Sequence, residues 1–146
     1  MELVGLHRNG EVDLGKILDK LNRHPSYKNA GAIASFVGVV RADPIEGKNG
    51  KVTSLEYEAY SEIAVKQLQE IRQSMLQRPG IIEVSIHHII DRLEVGEPSI
   101  FVVVMGKHRQ EVFPTLADTV ERVKKDVAIW KKEFTEEEAY WVSNDT

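Results

Sequence analysis

Apolar positions along the chain switch between two rhythms, one matching a helix and one matching a strand. Residues 2–7 read as a short strand. Asp13 then offers an N-cap, and Leu14, Ile17, Leu18 and Leu21 recur at helical spacing, so a helix is expected to about Arg23. His24-Pro25 stops it, because the residue before proline is pushed out of the helical region. Residues 31–41, GAIASFVGVVR, are rich in β-branched side chains and predict a strand. Residues 51–60, KVTSLEYEAY, predict another, with Val52, Leu55, Tyr57 and Ala59 only roughly sharing one face. The two strands are expected to pair across residues 42–50, ADPIEGKNG, whose proline and two glycines predict a mobile loop.

Ser61 is placed to cap the next helix, which runs to about Gln77 with Ile63, Ala64, Leu68, Ile71 and Met75 on its apolar face. Arg78-Pro79-Gly80 breaks it. Residues 81–90 and 99–106 predict two strands joined by the turn-rich DRLEVGEP. A last helix starts near Gln110 and runs at least to Asp126, and a short strand is expected near residues 140–142. Mixed elements with short links between strands predict an α+β fold, with mixed, mainly antiparallel sheets and packed helices. No repeat or low-complexity linker divides residues 1–146, so one domain is expected.

Composition narrows the chemistry. The chain has 146 residues, 42% of them hydrophobic, enough for a real core. A net charge of −4 argues against a general nucleic-acid binder, while leaving room for a local basic pocket. There is no cysteine, so the chain has no disulfide, no thiolate metal site and no cysteine nucleophile. Any sulfur used here must come from another molecule. No leader-like apolar segment opens the chain, and no stretch approaches the roughly 20 apolar residues of a membrane span. A cytoplasmic protein without membrane association is expected.

The richest candidate is residues 124–133, KKDVAIWKKE. On one helix continued through Ala128, Phe113, Leu116, Val120, Val123, Val127 and Trp130 form a stripe at about 100° per residue. Lys124 and Lys131 then flank that stripe at roughly 50–70°, where they can enter a cleft. Lys125 and Lys132 point nearly the opposite way. Spacing alone also allows Lys124 and Lys131 to snorkel along apolar surface with their ammonium groups in water. His108 and Arg109 fall where a strand gives way to a helix, a junction that suits an anion. Arg41 ends a strand and opens the glycine-containing loop. The His-Arg junction is equally compatible with a surface pair, and an arginine at a strand end is more often structural or solvated. His87 and His88 are adjacent in a strand and face opposite ways, so they do not share a metal site easily. No HExxH, GxSxG or phosphate-loop pattern is present. Glu136, Glu137 and Glu138 read as a solvated acidic run.

Five segments, in order, resemble the MoaE family, the large catalytic subunit of molybdopterin synthase: GAIASFVGVVR, VTSLEYEAY, RLEVGE, KHRQEVF and K-x-x-V-x-I-W-K-K-E. The chain departs from the family at Ala128, where proline is usual, and at residues 88–91, HIID, which lack the usual arginine and glycine. The resemblance implies an α/β hammerhead fold. It implies conversion of cyclic pyranopterin monophosphate (precursor Z) to molybdopterin, with sulfur arriving as the C-terminal thiocarboxylate of a small ubiquitin-like, MoaD-like subunit. It also implies a homodimer of large subunits within a heterotetramer, and no metal or cofactor of the chain's own. Carried onto matching positions, it assigns Lys124 the main catalytic role, with Lys131 assisting. Arg41, His108 and Arg109 bind phosphate and pterin, in part from the neighbouring subunit. Val39, Val40, Lys132 and Glu133 contribute contacts. Two alternatives remain at this stage: a non-catalytic module gripping a ubiquitin-like tail, and a phosphatase-like enzyme acting on another anionic metabolite.

Overall fold

The structure, a computed structural model, describes residues 1–43, 50–136 and 139–142. Its strands are β1 (Val4–His7), β2 (Ala32–Val39), β3 (Val52–Ala59), β4 (Ile81–Ile89), β5 (Arg92–Glu94), β6 (Pro98–Gly106), β7 (Ile129–Thr135) and β8 (Ala139–Val142). Its helices are α1 (Leu14–Asn22), α2 (Ser61–Leu76) and α3 (Arg109–Asp126), with a single 3₁₀ turn at Tyr27–Asn29. The expected α+β class is borne out.

Two four-stranded sheets result, in the orders β1-β4-β6-β2 and β5-β3-β7-β8. Every pairing is antiparallel except β1 with β4. The helices pack on the first sheet, with α2 against β4 and β1 and α3 against β6 and β2. The expected pairing of residues 31–41 with 51–60 is therefore wrong. β2 pairs with β6 and β3 pairs with β7 and β5, so consecutive strands belong to different sheets. The intervening loop makes a change of sheet rather than a hairpin, and its residues 44–49 lie outside the described residues.

Local chemistry explains the helix starts. Asp13 caps α1 as expected, its Oδ1 accepting from the Lys16 amide at 2.8 Å. α2 begins at Ser61 itself, with Tyr60 as N-cap and no capping side chain, so Ser61 does not cap. α3 buries Val112, Thr115, Thr119 and Val123, while Phe113 is 61% exposed. The buried stripe is thus rotated from the expected one, because threonine completes it. Thr119 Oγ1 donates back to the Thr115 carbonyl at 2.6 Å, and Arg78 donates to the Thr115 hydroxyl at 3.4 Å.

The expected continuation of the last helix through Ala128 is also overturned. α3 ends at Asp126, and Val127 is already extended at φ −96° and ψ 140°. The Gln67 side chain, on α2, accepts from the Ala128 amide at 2.7 Å, fixing the exit. Residues 129–135 then alternate as strand β7. No described helix is long and apolar enough to cross a membrane.

β4 and β6 are the central strands of the first sheet, so β4 is covered on both faces. Its polar residues each hold at least one hydrogen-bond or ion-pair partner. Glu83, 4% exposed, meets Arg72 at 2.7 Å and His24 at 3.2 Å. His87 sits in a chain that fixes its proton. Ser85 Oγ donates to the Leu3 carbonyl at 2.8 Å, so His87 Nε2 must donate to Ser85 at 3.0 Å. His87 Nδ1 then accepts from His7 Nε2 at 2.7 Å. His88, on the other face, donates from Nδ1 to the Ile89 carbonyl at 2.9 Å. Burial pushes both His87 and His88 down to about 4, and lowers His7 as well.

These histidines make stability fall with acid. Below pH ~6.5 the unfolded chain takes up protons that the native state refuses, down to the folded value near 4. Urea midpoints should therefore decline steadily from pH 6.5 to pH 4.5, with His88→Gln removing about one proton from the slope. A midpoint flat across that window would contradict neutral burial of the pair.

Candidate active site

A cleft of about 620 Å³ opens where the two sheets diverge. Its walls come from the end of β2 and the residues just beyond, from β3 and β7 of the second sheet, from Ser99 on β6, and from Lys124 near the end of α3. Lys124, Lys131, Arg41, Val39, Val40 and Glu133, all singled out by the sequence, line it together. Lys124 and Lys131 reach it from different elements, a helix end and a strand, rather than from one helix.

The strand β7 decides which of its residues enter. Ile129, Lys131, Glu133 and Thr135 are buried while Trp130, Lys132 and Phe134 are half-buried on the other face. Registry with β3 sets Tyr57 opposite Lys131 and Leu55 opposite Glu133, so all four share the inner face. Lys132 faces outward, its ammonium 5.5 Å from the centres of the Phe134 and Trp141 rings. It does not line the cleft. Lys125 is outward too, paired with Glu121 at 2.8 Å.

The β2 wall depends on a bulge. Pairing with β6 slips between Gly38 and Val39, where β6 carries the extra residue, Ser99, and residues on both sides of the slip line the cleft. Gly38 is required there because a Cβ would sit 2.5 Å from Ile100 Cγ2. Val40 is buried and tied by its amide to the Glu97 carbonyl at 3.0 Å, whereas Val39 is 53% exposed at the mouth. Arg41 is exposed beside it.

Three cations, Arg41, Lys124 and Lys131, face two carboxylates, Asp43 and Glu133, in this cleft. Glu133 is 3% exposed and accepts from the Tyr140 hydroxyl of β8 at 2.7 Å. Tyr57 and Ser99 line the cleft together, and the Ser99 hydroxyl donates to the Gly38 carbonyl at 3.3 Å. Burial raises the Tyr57 hydroxyl above its usual range, with nearby Ser99 a smaller opposing influence, so Tyr57 stays a neutral donor and acceptor. The arrangement suits an anionic ligand held by a guanidinium and two ammonium groups, with lysine amines at hand for proton transfer.

His108 and Arg109 are not part of this cleft. They are exposed at the opposite end of α3, about 22 Å along the helix from Lys124, and His108 meets Glu111 at 3.2 Å. Of the acidic run, Glu137 and Glu138 lie outside the described residues. Among the described residues, no group of three or more His, Asp or Glu is placed to hold a metal. Sequence reasoning missed Ser99 and Tyr140, whose roles depend on registry, and it left Tyr57 as an ordinary strand residue.

Comparison with known proteins bears on the family and the fold. The model of the MoaE protein family matches residues 7–126. A molybdopterin synthase catalytic subunit from Pyrococcus abyssi is 44% identical over 120 residues, covering 82% of this chain and 79% of the relative. The Bacillus subtilis molybdopterin synthase catalytic subunit is 36% identical over 118 residues, covering 80% and 73%. The crystal structure of molybdopterin synthase from Staphylococcus aureus superposes with a TM-score of 0.85 at 28% identity, covering 97% of this chain and 98% of that one. With the family model spanning most of its length and such relatives on both sides, this chain belongs to the MoaE family, whose named members here are molybdopterin synthase catalytic subunits.

Proposed function

We propose that this chain converts cyclic pyranopterin monophosphate to molybdopterin, taking sulfur from the C-terminal thiocarboxylate of a small ubiquitin-like subunit. The observation that carries the reading is the convergence of Arg41, Lys124 and Lys131 on one cleft from three separate elements. Phosphate, thiocarboxylate and carboxylate are all anionic, so a cationic cleft serves substrate and sulfur donor alike. A chain without cysteine has to receive its sulfur from outside. The relatives' designation as a catalytic subunit supports a further subunit, and the Helicobacter pylori protein of the same fold was solved as a complex of subunits 1 and 2 of molybdopterin-converting factor.

In this reading Arg41 binds the phosphate bidentately at the mouth, where Val39 offers apolar surface and Val40 closes the wall. Lys124 transfers protons as sulfur attacks the pterin side chain, or holds the thiocarboxylate tail at attack distance. Lys131 assists from the facing strand. Glu133, itself an anion, balances the lysines rather than gripping the phosphate. Lys132 supports the outer face of the sheet. His108 and Arg109 serve a cleft only from a second copy of the chain, which favours a homodimer within a heterotetramer.

Lys124→Ala should slow turnover of precursor with thiocarboxylated partner by roughly 10²-fold or more. Near-normal turnover by a folded variant would remove Lys124 from the chemistry. Arg41→Ala should raise KM for the precursor by about 10- to 100-fold while leaving kcat largely intact, since a charged hydrogen bond is worth about 1.5–3 kcal/mol. Product analysis separates the readings. Dithiolene formed only with the sulfur-loaded partner supports the synthase, whereas partner binding without conversion makes the chain a binding module, and phosphate release without the partner makes it a phosphatase.

A further inference from the structure

His88 is a buried polar residue beside the cleft that the proposed reaction leaves unused. It is 2% exposed, and its ring meets the ring of Tyr57, a wall of the cleft, at 4.8 Å in an edge-on arrangement. Since Nδ1 carries the proton given to the Ile89 carbonyl, the lone pair lies on Nε2. Nε2 has no hydrogen-bond partner among the described residues, an unfavourable state for a buried acceptor.

Its surroundings hold the complementary group. Tyr57 on β3, Lys124 on α3 and Lys131 on β7 are the titratable groups that face it, and the two lysines are close enough for their charge to act on it. Lys124 is half-buried and makes no hydrogen bond or ion pair among the described residues. An ammonium has three donors and no acceptor, whereas Nε2 is an acceptor without a donor. Lys124 lines the same cleft as Tyr57, whose ring His88 touches, and a lysine stem is long and flexible.

We propose that His88 is a positioning residue for the cleft: its buried, neutral Nε2 accepts a hydrogen bond from the Lys124 ammonium and holds that amine toward the bound substrate. Imidazole suits this task better than a carboxylate. It holds the ammonium without cancelling the positive charge that an anionic ligand needs, and burial keeps it neutral well below physiological pH. The effect on turnover rests on the sulfur-transfer reading above, but the hydrogen bond itself does not.

Nitrogen NMR of the intact chain labelled at its histidine rings tests the contact directly. The His88 signals should show a protonated Nδ1 and a hydrogen-bonded, unprotonated Nε2. Lys124→Ala should shift the Nε2 resonance, and Lys125→Ala, on the outward face, should not. A proton resident on Nε2, or a resonance indifferent to Lys124→Ala, overturns the proposal. With precursor and thiocarboxylated partner, His88→Leu should lower kcat about tenfold with little change in KM, and His88→Gln, which restores an acceptor, should recover most of the loss. Undiminished kcat in a folded His88→Leu variant also overturns it. If the wild-type chain makes no molybdopterin at all, the reaction reading fails, and the NMR result still decides the role of His88.

Discussion

An ion-bearing strand face turned inward is the constraint on which the rest of the structure depends. β7 presents Lys131, Glu133 and Thr135 to the interior, each no more than 9% exposed. Sealing an ammonium and a carboxylate inside a closed apolar core costs several kcal/mol per ion unless each finds partners. The cleft lies over this face, and Lys131 and Glu133 line it together with residues of the first sheet. Tyr140 satisfies Glu133 from the neighbouring strand, while Tyr57 and Leu55 furnish the opposite side through the β3–β7 register.

The change of sheet between consecutive strands serves the same end. β2 leaves the first sheet at a bulge and delivers Val39, Val40 and Arg41 to the cleft before the chain enters the second sheet at β3. β4 makes the corresponding crossing into β5, and the Tyr57 amide is bound to the Asp91 carbonyl at 3.0 Å where the sheets meet. His88 and Tyr57 touch at that seam. The seam thus joins a rigid, covered sheet to the strand that carries the charged residues.

Much of this was legible in the sequence, and the failures have physical causes. The α1 cap, the breaks at residues 24–25 and 78–80 and the strands of the first sheet follow from turn chemistry and β-branched content. Lys124 and Lys131 both line the cleft, Lys124 from the expected helix and Lys131 from a strand instead. β7 buries lysine, glutamate and threonine, so period-two reading finds a polar inner face and mistakes the segment for the end of an amphipathic helix. The α3 stripe was misplaced because Thr119 hides its hydroxyl in a bond to the Thr115 carbonyl and the Thr115 hydroxyl accepts from Arg78, which composition does not reveal. The roles of Ser99 and Tyr140 arise only from registry between distant strands. His108 and Arg109 form a coherent pair in sequence, yet helix length carries them away from the cleft of their own chain.

The outer face of β7 has a consequence for how this molecule is observed. Both tryptophans of the chain lie on the second sheet, with Trp130 on the face that also carries Lys132 and Trp141 directly across from Lys132 on β8. The helices belong to the first sheet. Indole emission therefore reports one half of the fold and helical circular dichroism the other. A pair of denaturation curves from one sample reads the cohesion of the seam between them: coincident curves mark a single cooperative unit, and separated curves mark a second sheet that loosens on its own.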